Sequence, residues 1–143
     1  MKNFAKITAV LMLVVMSMAL LVSCGPATNP DKAVECLKNN EYAAVKLSGA
    51  VSTGAVALLL GLKGEDVTAI VTGSKVDDNG DAQGVFVIYF KDAATANSVM
   101  KKAQENINKI VSALNLEYEG GSDVKKQGAM IYSGTEAGIK AAR

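Results

Sequence analysis

The pattern of hydrophobic and polar residues differs from one part of this chain to another. Residues 7–22, "ITAVLMLVVMSMALLV", are almost continuously apolar, whereas later segments alternate as amphipathic helices and strands do. Sixteen helical residues rise about 24 Å, which is short of the roughly 30 Å hydrocarbon core of a bilayer. Length alone permits a compressed or tilted span, but Lys2 and Lys6 ahead of the run favour a secretory signal peptide.

A helix signal follows a short polar segment at residues 25–30. Asn29 is expected to cap the helix, with Pro30 at its first position and Asp31 in its first turn. The helix should run over residues 31–39. Its apolar face should comprise Ala33, Val34 and Leu37.

In the remaining segments, apolar residues are spaced alternately as in strands, with a period of two, and as in helices, with a period of 3.6. Read in order, they predict a ferredoxin-like βαββαβ α+β sandwich with an extra helix at each end. We therefore expect a signal peptide at 1–23, a short tether at 24–30 and one α+β domain at 31–143. The predicted strands are 42–48, 66–76, 84–90 and 128–134, and the predicted later helices are 50–62, 91–115 and 135–142.

The segment over residues 91–115 shows the clearest helical spacing in the chain. Asp92 is its expected N-cap, and a final helix should be capped by Thr135. The apolar stripe of the long helix comprises Ala96, Val99, Met100, Ala103, Ile107, Ile110, Val111 and Leu114.

The strand "GVFVIYF" at residues 84–90 is apolar on both faces. In the predicted arrangement both linking helices cover one sheet face, so a second cover is needed. The two terminal helices are one such cover. The alternative cover is a partner, such as a second copy of the chain, packed sheet to sheet.

Charge and composition exclude several classes of function. Without Lys2 and Lys6, 13 basic residues remain against 14 acidic ones. Nucleic acid is therefore not expected as a partner, because phosphate binding needs a concentrated basic surface. The chain has no histidine, which excludes Cys/His zinc sites and Ser-His-Asp or Cys-His catalysis within one chain.

Leu21-Val22-Ser23-Cys24 resembles the lipobox of bacterial lipoproteins, in which an aliphatic, a tolerant and a small residue precede a cysteine. The resemblance implies that the Cys24 thiol receives a diacylglycerol and that Cys24 becomes the first mature residue. Two acyl chains attach a protein stably, at roughly 0.8 kcal/mol per buried methylene. The alternative is a cysteine that happens to end an ordinary signal.

The resemblance also implies a location, at the extracytoplasmic face of the cell membrane or of the outer membrane. Gly25 is not the aspartate that retains such proteins in the inner membrane. Cys36 is left without a disulfide partner in the chain. It is either a small buried hydrophobe, a free surface thiol or half of an intermolecular disulfide.

Two loop motifs do not match the binding sites that they resemble. "DDNGD" at residues 77–81 invites a calcium site, but with Gly80 in register the first ligand position holds Lys75. Asn79-Gly80 is better explained as a hairpin turn. "GAVSTGAV" at residues 49–56 has phosphate-loop glycine spacing without the lysine that would hold phosphates.

Three pairs of side chains are candidates for catalytic groups. Ser98 with Lys101 and Ser122 with Lys125 match S-x-x-K, but the other motifs of penicillin-recognising enzymes are absent. Glu117 and Glu119 flank a tyrosine in an expected loop, where a solvated turn is the simpler interpretation. These pairs are not expected to be catalytic.

We therefore predict a cell-envelope lipoprotein that binds a protein or a small ligand, is not an enzyme, and needs no cofactor or metal. The mature domain resembles small bacterial lipoproteins, and this resemblance supplies no activity. The alternative is a structural or regulatory accessory subunit of a membrane complex, self-associating through its sheet face. An unrecognised small hydrolase is the weakest hypothesis, because histidine is missing.

Overall fold

The computed structural model of the chain describes residues 25–117 and 123–143. These residues form a mixed α+β fold, in which five helices pack on a five-stranded antiparallel sheet. A 3₁₀ turn, Gly64–Asp66, precedes the second strand. The helices are α1 (Pro30–Asn39), α2 (Ala50–Leu60), α3 (Ala93–Glu105), α4 (Ile107–Ala113) and α5 (Glu136–Ala141), and the strands are β1 (Ala43–Ser48), β2 (Val67–Val76), β3 (Ala82–Phe90), β4 (Lys125–Gln127) and β5 (Met130–Gly134).

The helix starts that the sequence predicts are confirmed at the level of single side chains. The Asn29 side chain accepts hydrogen bonds from the amides of Asp31 and Lys32, and Pro30 is the first helical residue. Asp92 accepts from the amide of Thr95 at the start of α3. Thr135 accepts from the amide of Gly138 at the start of α5. Each cap satisfies amides that the helix itself leaves without a partner.

The sheet has the order β1-β2-β3-β5-β4 with antiparallel neighbours, which corrects the ferredoxin-like connectivity. In a split βαβ unit, the two strands joined by the first helix are parallel and flank an inserted strand. Here β1 and β2 are joined by α2 and pair directly, with Leu47 opposite Ile70. An edge position suits β1, because Val45 is 53% exposed and Lys46 lies at the surface.

The sheet is covered on both faces by the chain's own helices. The first core lies between the sheet and α2, α3 and α4, and it contains Phe86, Ile88 and Phe90 of β3. The second core lies between the sheet and the terminal helices. Val85, Val87 and Tyr89 point into it and contact the cluster that includes Leu37 of α1 and Ile139 of α5. The expectation that the terminal helices cover the second face is confirmed.

Two features depart from the predicted elements. The helix expected over residues 91–115 is interrupted at Asn106, whose side-chain amide donates to the carbonyl oxygen of Lys102 at 2.9 Å. The predicted stripe continues across the break, and its members are buried in the first core or packed against it. The expected loop after α4 contains β4, a short strand that pairs with β5.

Candidate functional site

The polar segment expected to be a tether is packed against the domain from its second residue onward. Gly25 and Pro26 are buried. The amide of Ala27 donates to the carbonyl oxygen of Ala142 at 2.8 Å, and the Ala27 carbonyl accepts from the phenol of Tyr89 at 2.7 Å. Residues 25–29 therefore lie along the second core, between the central strand and the C-terminal residues.

Gly25 lies against the ends of two side chains, and a larger residue there would require the Gln127 side chain to move. A Cβ atom there would lie 2.0 Å from Oε1 of Gln127 and 3.0 Å from Oη of Tyr132. The close approach fixes where the chain enters the domain, beside β4 and β5. Burial raises the pKa of the Tyr89 phenol, which keeps it protonated as the donor to Ala27.

The proposed lipid attachment residue, Cys24, lies outside the described residues, as do Ser122 and Glu119 of the other pairs. Cys36 is half-buried on α1 and has no disulfide partner among the residues that the structure describes. Its side chain is partly exposed. The structure therefore places Cys36 between the buried and the surface interpretations.

The loop at residues 77–81 forms the predicted hairpin connection between β2 and β3. Oδ1 of Asp77 accepts from the amides of Asn79 and Asp81, each at 2.9 Å, and Gly80 has a φ of +86°. Hydrogen bonding lowers the pKa of the Asp77 carboxyl. The bond from the Asp81 amide has the largest effect, and a bond from the Gln83 side chain has the next largest. The carboxylate is engaged in shaping the turn, and the described residues place no group of three or more His, Cys, Asp or Glu side chains to hold a metal.

The other sequence motifs also have structural roles. Residues 49–56 start α2, where the hydroxyl of buried Thr53 donates to the carbonyl oxygen of Gly49 at 3.0 Å. Ser98 and Lys101 are exposed on α3, and the Ser98 hydroxyl donates to the carbonyl oxygen of Thr95 at 2.7 Å. A hydroxyl bonded to its own helix in this way is not arranged as a nucleophile.

A shallow cavity of about 750 Å³ lies beside the β2–β3 hairpin. Asp81 and Glu117 contribute carboxylates to its lining, and no lysine, arginine or cysteine is among the described residues that line it. Its remaining lining residues are Gly80, Ala82, Gln83, Leu116 and Thr135. The described part of the lining offers hydrogen-bonding groups and does not pair a nucleophile with a base.

A second surface, on α2, was not anticipated from the sequence. Val51 is 98% exposed and Leu58 is 79% exposed, and an apolar groove of about 610 Å³ separates α2 from α4. The signal was present in "AVSTGAVALLL", a helix without a charged residue. Such a helix is fully buried or exposes apolar surface, and α2 packs on the sheet along one side only. The groove is lined by Ala55, Leu58, Leu59, Asn108, Lys109, Ser112 and Ala113.

Comparison with known proteins finds no matching family model, no similar curated protein and no similar solved structure. Within residues 25–117 and 123–143, none of the helices is long and apolar enough to cross a bilayer. The functional argument therefore depends on the chain's own residues.

Proposed function

We propose that this chain is a lipid-anchored lipoprotein of the bacterial cell envelope. Residues 1–23 serve as its signal peptide, Cys24 carries the diacylglycerol, and the domain binds a partner without catalysis. The observation that carries the proposal is the lipobox-like Leu21-Val22-Ser23-Cys24, which follows Lys2, Lys6 and the apolar run at residues 7–22. The extracytoplasmic face of the cell membrane or outer membrane is the proposed location.

The packing of residues 25–29 supports a short distance between the domain and the bilayer. A free six-residue tether would reach about 20 Å, whereas one residue reaches about 3.5 Å. Because Gly25 and Pro26 are buried, an acylated Cys24 holds the domain directly at the membrane surface. The edge formed by β4 and β5, where Gly25 is seated, then faces the headgroups.

The short distance also favours the second candidate, an accessory subunit of a membrane complex. A domain held against the bilayer meets partners that are themselves at the membrane, and confinement raises the effective concentration of such partners. The hydrogen bonds of Asp77 and Ser98 engage the polar groups that two sequence motifs single out, so neither motif supports a catalytic role.

Metabolic labelling with a radioactive fatty acid tests the proposal on the full chain. Label and membrane fractionation are expected for the unchanged protein and for the control Cys36→Ser. Cys24→Ala should incorporate no label and should retain its signal as a longer precursor, whose apolar residues 7–22 can still hold it at the membrane. Labelling of Cys24→Ala equal to that of the control, or cleavage to the same mature length, would overturn the lipid anchor.

A further inference from the structure

Residues 25–28, which we call the strap, lie against the second core without forming a helix or a strand. Ala27 makes two hydrogen bonds to residues that are distant in the sequence. Its amide donates to the carbonyl oxygen of Ala142 at 2.8 Å, and its carbonyl accepts from the phenol of Tyr89 at 2.7 Å. The helices and strand pairings of the described fold are all formed by residues beyond the strap.

We propose that the strap has two positions, and that it leaves the second core while the rest of the domain stays folded. The closed position is the one that the structure shows. In the open position Asn29 still caps α1, because its side chain bonds amides of that helix. The hinge therefore lies between Thr28 and Asn29. Opening removes no strand pairing, which makes it a local event that needs no global unfolding.

The strap buries little apolar side chain, and this keeps the cost of opening low. Gly25 has no side chain, and Pro26 is buried. Ala27 contributes one methyl group, which is packed against the second core, and Thr28 is exposed. Because the free energy of burial follows the apolar area removed from water, four small residues are held less firmly than a helix or a strand of the core.

The contact between the strap and the sheet is also incomplete. A surface cavity of about 410 Å³ is lined by Thr28 and by residues of the β4–β5 turn, including Gln127. Gly25 meets polar atoms, which are Oε1 of Gln127 and Oη of Tyr132. Water can bond such atoms when the strap leaves, so opening strands no polar group in an apolar interior.

Conformational entropy favours the open position. Four residues regain backbone freedom when the strap leaves, and a glycine such as Gly25 regains the most. The two hydrogen bonds of Ala27 oppose opening, but each shifts the equilibrium only about fivefold, because the freed groups bond water instead. We therefore expect the open position to be a minor state that is populated well above the unfolded chain.

The two positions give the domain two distances from the bilayer, and this step rests on the proposed function. In the closed position Cys24 is one residue from Gly25, which is seated on the domain. In the open position five residue steps separate Cys24 from Asn29, which can span about 17 Å. A partner that binds the domain only at the greater distance would select the open position. The strap thereby regulates which partners the anchored domain can reach.

Hydrogen exchange on the full chain tests the proposal, with the protein in detergent micelles and single amides resolved by nuclear magnetic resonance. The Ala27 amide should exchange at least tenfold faster than the Val87 amide, which lies in the central strand. Low urea concentrations should raise the Val87 rate and leave the Ala27 rate nearly unchanged. The reason is that local opening exposes little surface, whereas global unfolding exposes the core.

Two variants separate local opening from global unfolding. Tyr89→Phe removes one bond of the strap and should raise the Ala27 exchange rate about fivefold. The matched control is Ile131→Val, which removes one methyl group from the first core, on the opposite face of the sheet. Ile131→Val should raise the Val87 rate about fivefold. It should leave the Ala27 rate unchanged, because it destabilises the domain without contacting the strap.

Three results would overturn the two-position strap. They are an Ala27 rate equal to the Val87 rate at every urea concentration, an equal acceleration of both amides by Ile131→Val, and an Ala27 amide that exchanges as fast as in an unfolded peptide. The first two would show that the strap leaves only when the domain unfolds, and the third that it is not closed at all. Failure of the lipid anchor is distinguishable. It is read from the mass of the Cys24 peptide of the same sample, whereas the exchange rates are scored separately.

Discussion

The phenol of Tyr89 donates a hydrogen bond to the main-chain oxygen of Ala27 at 2.7 Å, which joins the central strand to the segment ahead of α1. Tyr89→Phe removes this bond and leaves the ring in the second core. We expect the free energy of unfolding to fall by about 1 kcal/mol. Hydrogen exchange at the Ala27 amide should accelerate. Tyr42→Phe, which changes another tyrosine of the second core, is the control and should leave the Ala27 amide unaffected.

Burial raises the pKa of the same phenol, and this predicts a loss of stability at high pH. A raised pKa in the folded state stabilises the fold below the unfolded value of about 10, and this stabilisation is lost as the pH rises above that value. Denaturant unfolding measured from pH 8 to 11 should show a decline that becomes shallower in Tyr89→Phe. Tyr42, whose pKa burial also raises, contributes to the remaining slope. Identical slopes in both proteins would contradict the assignment.

Asp66 should contribute to acid unfolding. Its carboxylate accepts hydrogen bonds from the Lys91 ammonium and from the Lys63 amide, and these bonds lower its pKa, the Lys91 bond most. A lowered pKa stabilises the fold above the unfolded value of about 3.9, and this stabilisation is lost as the pH falls below it.

The Asp66→Asn variant should therefore lose less stability than the unchanged protein between about pH 5 and pH 2. The exposed neighbour Glu65→Gln is the control for a change of net charge. Asp77 and Asp92 also have lowered pKa values, so part of the acid dependence should remain. A pH profile of Asp66→Asn that parallels the unchanged protein would contradict the role given to Lys91.

Two glycines should respond to alanine in opposite directions. At Gly134 a Cβ would lie 2.4 Å from the Gly84 oxygen and 2.7 Å from the Cα of Val85, and backbone atoms cannot move aside cheaply. Gly134→Ala should therefore be strongly destabilising. At Gly54, inside α2, nothing lies within 4 Å, and alanine should stabilise the helix by about 1 kcal/mol. Thermal unfolding of the two variants compares them directly, and a stable Gly134→Ala would contradict the close packing of β3 and β5.

The elements that sequence reasoning placed correctly depend on short-range signals. Asn29, Asp92 and Thr135 each bond amides within three residues, so their roles can be inferred from a few neighbours. The continuous apolar run of β3 and the apolar stripe of α3 and α4 are equally visible in the sequence. Each of these patterns reports burial along one element without reference to the rest of the chain.

The features that were missed depend on contacts between distant residues. The Ala27 amide donates a hydrogen bond to Ala142, and the residues around position 27 do not indicate that partner. β4 consists of Lys125, Lys126 and Gln127, which form a strand because β5 offers its edge, not because the residues favour one. The order of the sheet likewise depends on which strands pair, and the same succession of elements is compatible with several orders.

The hydrogen bond between Ala27 and Ala142 brings the segment ahead of α1 next to the C-terminal end of α5. The segments on either side of the domain lie next to each other there, so a short linker could join them and new ends could be opened in the loop at residues 77–81. Such a circular permutant keeps the pairings of β1 with β2 and of β3 with β5. The fold thus depends on which strands are neighbours more than on where the chain begins.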